Sequence, residues 1–307
     1  MQEKTKKPFP KNLTFIFSWK IFHRQPFPHF MQTSRIRIFI CLLFLWQCGS
    51  SPTKLTFGKK LGIASDGIYA ILYGKGEISL FRGDEGEEPK EISFLFFCIK
   101  DKGRTILIDS GISSYETRDF PEIRGWISPD KILSEAGLPP KSVTDIVLTD
   151  YRPEHSGGIW LFPNAKIYLH PKAAKFLISA KSPTRIRKTI TEKQKAGKFI
   201  LLNPGIELAP DFRILFTEGR TEGSIAVEWL RRPGERILFS GDECYFPEDC
   251  AKSKTLPSEL VHSTRLHREF LDYAELLASQ GTRILTSHDP SLPASGEEVS
   301  PRIFKLY

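Results

Sequence analysis

The sequence predicts a layered α/β or α+β body, and three observations predict it. Strand-like apolar runs come in blocks, punctuated by Gly and Asp-Gly, with helical periods between the blocks. Three apolar runs end in polar residues, LTDYRPEH, FSGDECY and LTSHDP. A chain of 307 residues, 40% hydrophobic, carries enough apolar mass for one large domain or two small ones.

Charge separates a leader from a body. Residues 1–47 hold eight Lys/Arg and one Glu, leaving +1 of the net +8 for the rest. A near-neutral body behind a basic leader is not a nucleic-acid footprint. From Met31 the chain reads MQTSRIRIFICLLFLWQCGSS. Arg35 and Arg37 form a basic region before a short apolar run ending at Trp46, too short to cross a bilayer, which needs about 20 residues. Residues 31–47 therefore read as a signal peptide. The segment ending at Cys48 resembles a bacterial lipoprotein signal, in which the cysteine is lipidated. An ordinary export signal is the alternative. Gln47 departs from the small residue expected before that cysteine. Residues 1–30 read as disordered or as lying upstream of a true start at Met31. Residues 48–60 read as a tether, and 61–307 as one domain.

Within the domain, GIYAILYG, EISFLFFCI and RTILIDSG read as strands. SPDKILSEAGL reads as a short helix, with Ser128 as N-cap and Gly137 near its end. TDIVLTD is a buried strand and AKIYLH another. PKAAKFLISA starts a helix with Pro171 in its first turn. SPTRIRKTITEKQKAGK reads as an exposed helical insertion with a solvated face. Strands return at FRILFTEG, SIAVEWL and RILFSGD. His262 to Ser279 places Leu266, Phe270, Leu271, Ala274 and Leu277 near helical spacing. RILTSHD is a last core strand, and RIFKLY is an edge strand. His170 and His262 read as surface or helix-terminal residues. Cys98 reads as a buried small hydrophobe. Cys244 and Cys250 either pair, as an oxidising compartment allows, or remain two thiols.

Polar groups on different strand ends converge in one cleft when a rigid scaffold presents them. The sequence resembles the metallo-β-lactamase superfamily over roughly 65–300. ILIDSG (106–111) is similar to its early strand and turn. DIVLTDYRPEHSGGIWLFPNAKIYLHP (145–171) is similar to the segment carrying its His-x-His-x-Asp-His motif. GRTEGSIAV (219–227), SGDECYFPE (240–248) and ILTSHDP (284–290) are similar to its Gly-His-Thr, Gly-Asp and final-histidine segments. The resemblance implies a four-layer αββα sandwich with metals at the strand ends between the sheets. The N-acyl homoserine lactonase-like branch is the nearest resemblance, since Tyr245 follows Asp242 at the offset of that branch's substrate-contacting tyrosine.

Carried over residue by residue, the motif is degenerate. Asp150 and Arg152 stand at the first two motif histidines, and Arg220 at the histidine of Gly-His-Thr. Those three build the family's first metal site. Glu154, His155, Asp242 and His288 stand at the second-site positions with plausible ligand types. An arginine has only donors and keeps its charge, so it cannot hold a cation. At about 4 Å and an effective dielectric near 20 it repels a unit charge by roughly 4 kcal/mol, and a dication by about twice that. Arg152 and Arg220 are thus expected to replace the first ion electrostatically, with Asp150 and Asp242 as their carboxylate partners. The second site is expected to hold one divalent cation, zinc first and iron or manganese next, or none, in which case the same residues form a salt-bridge network.

Two functions follow. One is a one-metal hydrolase of an ester, lactone or similar carbonyl substrate. There Asp150 serves as general base, Arg152 or Arg220 holds the substrate carboxylate or oxyanion, and Tyr245 polarises the carbonyl. The other is a non-enzymatic binding or structural lipoprotein whose arginine-lined cleft takes a small acidic ligand. Expected partners are a small acidic or carbonyl-containing ligand and a membrane reached through lipid on Cys48, with no nucleic acid.

Overall fold

Two facing sheets are built from hairpins and helical crossovers. The computed structural model describes residues 62–79, 88–120, 122–203, 208 and 211–307. The leader, the signal segment with Cys48 and the tether lie outside the described residues. β1 (Gly67–Ile78) pairs antiparallel with β2 (Lys90–Asp101), which pairs antiparallel with β3 (Arg104–Ile108). The β2–β3 turn has positive φ at both central residues, Lys102 (47°) and Gly103 (82°), the twist a two-residue hairpin requires. Then come α1 (Pro129–Glu135), β4 (Asp145–Val147), α2 (Pro153–Ser156), β5 (Lys166–Leu169), α3 (Pro171–Ile178), α4 (Thr184–Lys195) and β6 (Phe199–Leu201). Strands β3 to β6 run parallel, with helices on the crossovers.

The second half holds β7 (Phe212–Phe216), β8 (Ile225–Arg232), β9 (Glu235–Phe239), α5 (Pro247–Ala251), α6 (Thr264–Ser279), β10 (Arg283–Leu285), β11 (Glu297–Ser300) and β12 (Ile303–Lys305). Among the described residues one sheet has the order β11-β12-β1-β2-β3-β4-β5-β6 and the other β10-β9-β8-β7. The expected αββα layering follows from what each strand face touches. Ile68, Phe97, Ile108 and Val147 meet Val227, Trp229, Phe239 and Leu285 between the sheets. Tyr73, Phe96 and Ile146 face out under α1, α3 and α4, through Leu133, Leu177 and Ile190. Ala226, Leu238 and Ile284 face α6 through Phe270, Leu271 and Ala274. Strands β1 to β4 are apolar at successive residues because both their faces are covered.

Several local expectations change. The segment RIFKLY is not an edge: β12 lies between β11 and β1, and β11 takes the edge. Ser128 stands at the N-cap of α1, but its hydroxyl bonds the Asp130 carboxylate instead of a backbone amide. The face of α4 is not wholly solvated. Ile186 and Ile190 are buried, and Lys193 Nζ donates to the carbonyls of Phe162, Pro163 and Ala165 at 3.0, 2.8 and 2.6 Å. Leu266 is only half-buried, and His267 takes the core-facing place beside it. His170 is helix-terminal as expected, capping α3 by accepting from the Lys172 amide, but it is buried; His262 is exposed. Cys98 is fully buried, which pushes its thiol up to about 12. Cys244 and Cys250 are joined by a disulfide, resolving the choice between pairing and free thiols.

Candidate metal centre

The carboxyl ends of β4, β9 and β10 bring the three polar termini together, where open α/β sheets hold their ligands. The approach of β9 to β4 is close. Gly241 has φ +56°, and a Cβ there would lie 2.9 Å from both Cβ and Oγ1 of Thr149. Glycine is required on both counts. It delivers Asp242, buried and 3.2 Å by Oδ1 from Nε2 of His155 and from Nε2 of His288.

Both imidazoles are oriented from behind. His155 Nδ1 lies 2.8 Å from Asp109 Oδ2, and the Asp109 carboxylate also accepts from Thr149 N and Thr149 Oγ1, each at 2.7 Å. His288 Nδ1 lies 3.0 Å from the Ser93 carbonyl, which can only accept, so Nδ1 carries the proton. Tyr245 stacks on the His288 ring at 4.7 Å and Phe94 meets it edge-on at 5.3 Å. With each Nδ1 spent on a hydrogen bond, a neutral ring offers its Nε2 lone pair to the centre. Asp242 Oδ1 and His155 Nε2 are buried there without a hydrogen-bond partner. Converging acceptors of this kind call for a proton or a cation.

The donor set is of the kind that holds one ion. Donors held about 2.0–2.1 Å from a tetrahedral zinc ion stand roughly 3.3 Å apart. The two 3.2 Å separations match that edge. Glu154, His155 and Asp242 offer ligand atoms that all lie within 4.8 Å of one another. His288 reaches Asp242 Oδ1 but stands outside that group of three. A second ion does not fit. Arg152 Nη2 donates to Asp242 Oδ2, while its Nε lies 3.5 Å from Asp150 Oδ2 and its Nη1 3.4 Å from Glu154 Oε1. A fixed cation therefore sits on Asp242 and Asp150, which the first ion would need, and also on Glu154, a ligand position of the second.

Burial pushes the Asp242 carboxyl upward, but His288, His155 and Arg152 outweigh it and hold it well below its ordinary value. Asp150 goes the other way. Burial raises it against the pull of Arg152 and His155. Its Oδ1 accepts from the Arg152 amide at 3.0 Å, and its Oδ2 has no hydrogen-bond partner. For His155, burial works downward, but the charges of Asp109 and Asp242 and the contacts its ring nitrogens make with both prevail and raise it well above its ordinary value, so without an ion a proton stands between its Nε2 and Asp242 Oδ1.

Arg220 departs from expectation. It pairs with neither Asp150 nor Asp242; its guanidinium donates to the Leu260 carbonyl and, at 3.2 Å, to the Tyr245 hydroxyl. The cause is the turn it stands on. The amides of Gly219 and Arg220 both donate to Glu243 Oε1, at 3.1 and 2.9 Å, which fixes the direction of the side chain. Arg152 alone thus takes the central position, with Arg220 and Tyr245 beside it.

Sequence reasoning did not assign Asp109 or the Glu243–His267 pair. Glu243, fully buried beside Asp242, accepts from Ser224 Oγ at 2.8 Å and meets His267 Nδ1 at 2.8 Å. His267 Nε2 in turn accepts from the Leu256 amide at 3.1 Å. Burial raises the Glu243 carboxyl, but hydrogen bonds from His267, Thr217 and the Arg220 amide overcome it and lower it below its ordinary value. A depressed carboxylate contributes stability above its unfolded value, about 4.3, and loses it as pH falls through the folded value. Acidification below about pH 4 should therefore lower the urea midpoint steeply. Glu243→Gln should cost about 2–3 kcal/mol at pH 7 and flatten that acid slope. An unchanged slope in the variant would assign the acid lability elsewhere.

The pattern that defines the metallo-beta-lactamase superfamily matches residues 93–277. The chain belongs to that superfamily. Among solved structures it is similar to the hydrolase AbOPH of the beta lactamase superfamily, at 24% identity and TM-score 0.59, over 73% of this chain and 87% of that one. It is also similar to a quorum-quenching N-acyl homoserine lactone lactonase, at 15% identity and TM-score 0.61, over 76% and 96%. A probable metal-dependent hydrolase from Staphylococcus aureus matches at 16% and 0.59, over 74% and 91%. No curated protein matches the chain. These likenesses establish the sandwich and not the chemistry.

Proposed function

We propose that the chain is a one-metal hydrolase of esters or lactones in which Arg152 stands in for the other ion of a two-metal centre. The observation that carries this reading is the buried Asp242 Oδ1 between two imidazole nitrogens at 3.2 Å, while Arg152 covers Oδ2. His155, His288, Asp242 and Glu154 would hold the ion. When bound, a divalent cation lowers the pKa of water and polarises a carbonyl oxygen. Similarity to lactonases, one of them described as dizinc, supports the substrate class.

The chain's own residues supply the rest. Asp150 Oδ2, ion-paired with Arg152 at 3.5 Å but without a hydrogen bond, belongs to a carboxylate with a raised pKa, suited to take a proton from the attacking water. Asp109 and the Ser93 carbonyl hold the two imidazoles so that neither rotates out of register. Tyr245 and Arg220, 3.2 Å apart, offer donors to the carbonyl oxygen of the substrate or to its acidic group. Arg152 keeps Asp242 ionised and positioned.

Zinc-loaded protein should hydrolyse 4-nitrophenyl acetate or an N-acyl homoserine lactone. Asp150→Asn should lower kcat about 100-fold or more while leaving zinc content unchanged. Zinc-loaded protein inert towards both substrates would leave a binding protein in place of an enzyme.

The compartment belongs to the same proposal. The Cys244–Cys250 disulfide suits an oxidising compartment, and the signal-like segment ending at Cys48 suits a lipid anchor. Labelled palmitate should enter the wild type and not Cys48→Ala; equal labelling of both would remove the anchor.

A further inference from the structure

Away from the metal centre, a cleft of about 840 Å³ opens between α4 and the segments Tyr115–Arg118 and Trp160–Pro163. That volume lies inside the range of roughly 300–1,000 Å³ typical of small-molecule sites. It contains none of the residues of the metal centre. It extends to Pro163 and Lys198, which precede β5 and β6, whereas Asp150 and His155 follow β4. The cleft thus reaches the opposite end of the parallel strands.

Its walls combine ring and proline surface with cations. The Arg185 guanidinium lies 3.8 Å from the Tyr115 ring centroid and 4.4 Å from that of Trp160, and the two rings meet edge-on at 5.7 Å. Arg185 Nη2 donates to the Tyr115 hydroxyl at 2.6 Å. Stacking occupies the face of a guanidinium and leaves its remaining N–H edge for an anion. Lys198 and Arg118 also line the cleft, as does Lys193, whose three donors are taken up by carbonyls. The two acidic residues of the lining are already engaged. Glu116 accepts from the Ser113 amide and hydroxyl, and Glu192 faces Lys188 at 3.9 Å. Arg118, Arg185, Lys188, Lys193 and Lys198 thus outnumber the two carboxylates of the lining.

We propose that this cleft binds a small amphipathic carboxylate, its head on Arg185, Lys198 and Arg118 and its flat or short apolar body against Trp160 and Pro163. Calorimetric titration of the full chain with 1-naphthoate tests it. Saturable binding is expected, with acetate and 1-naphthalenemethanol each at least tenfold weaker, because one lacks the body and the other the charge. Lys198→Glu and Arg185→Gln should each weaken 1-naphthoate at least tenfold at unchanged melting temperature. If Arg185→Gln melts early through lost stacking, Arg118→Glu, on an exposed residue, replaces it. No saturation, or parental affinity in the folded variants, overturns the proposal. So does cosedimentation with phosphatidylglycerol vesicles without 1-naphthoate binding, which would make the cleft a lipid-surface contact.

Discussion

Arg152→Met should lower the stability of the metal-free protein by about 3–5 kcal/mol, read as the shift of the urea midpoint at constant slope. The guanidinium contacts Asp242, Asp150 and Glu154, and the Asp242 and Asp150 side chains are 1% exposed. Methionine preserves much of the volume and removes the charge, so the loss reports electrostatics and not a cavity. Without it, Asp242 Oδ2 is a buried carboxylate oxygen beside a second carboxylate. An exposed ion pair would be worth about 1 kcal/mol or less. A loss of that size would mean that Arg152 is an ornament of the surface and not the replacement for an ion.

The second large effect is a gain. Asp150→His, Arg152→His and Arg220→His together restore the residue types that the superfamily resemblance assigns to the first site. The triple variant should take up a second zinc equivalent with sub-micromolar affinity, a binding free energy beyond about 8 kcal/mol. Two obstacles leave with the substitutions. The cation on Asp242 Oδ2 is gone, and that oxygen becomes free to bridge. The position of Arg220 makes the experiment exacting, because its turn is held by Glu243 and its side chain points to Leu260 and Tyr245. A triple variant that still binds one ion would place the defect in backbone direction and not in side-chain charge. The double Asp150→His and Arg152→His variant separates the two causes.

The layered sandwich was legible because covering both faces of a strand leaves a mark in sequence. GIYAILYG and EISFLFFCI are apolar at successive positions, and each became a long central strand. The convergence of the three polar termini was legible for a related reason, since each closes an apolar run, while the choice of Asp242, His155 and His288 among their residues came from the superfamily resemblance. Chemistry set by direction was not legible. Whether Arg220 points at Asp242 or away depends on two backbone amides captured by Glu243, 24 and 23 residues further along the chain. Nothing in the spacing signals that capture. Asp109 gave a faint signal, as the polar end of ILID, yet its task of holding the His155 ring depends on a backbone φ of 66° that only the fold displays. The Glu243–His267 pair likewise joins a strand end to a helix face, and a histidine next to Leu266 in an amphipathic period reads as a flank. The identity of the edge strand was lost because three-residue strands carry too little alternation to rank their neighbours.

One guanidinium, lodged on one oxygen of Asp242, is held to have converted a two-ion pocket into a one-ion pocket. Diffraction from crystals grown with excess zinc, recorded on both sides of the zinc absorption edge, counts the ions and places them. The expected map has a single anomalous peak among His155, His288 and Asp242 Oδ1, absent in His288→Ala, with Arg152 still on Oδ2. Two peaks flanking Asp242 with Arg152 displaced, or no peak at saturating zinc, would contradict it.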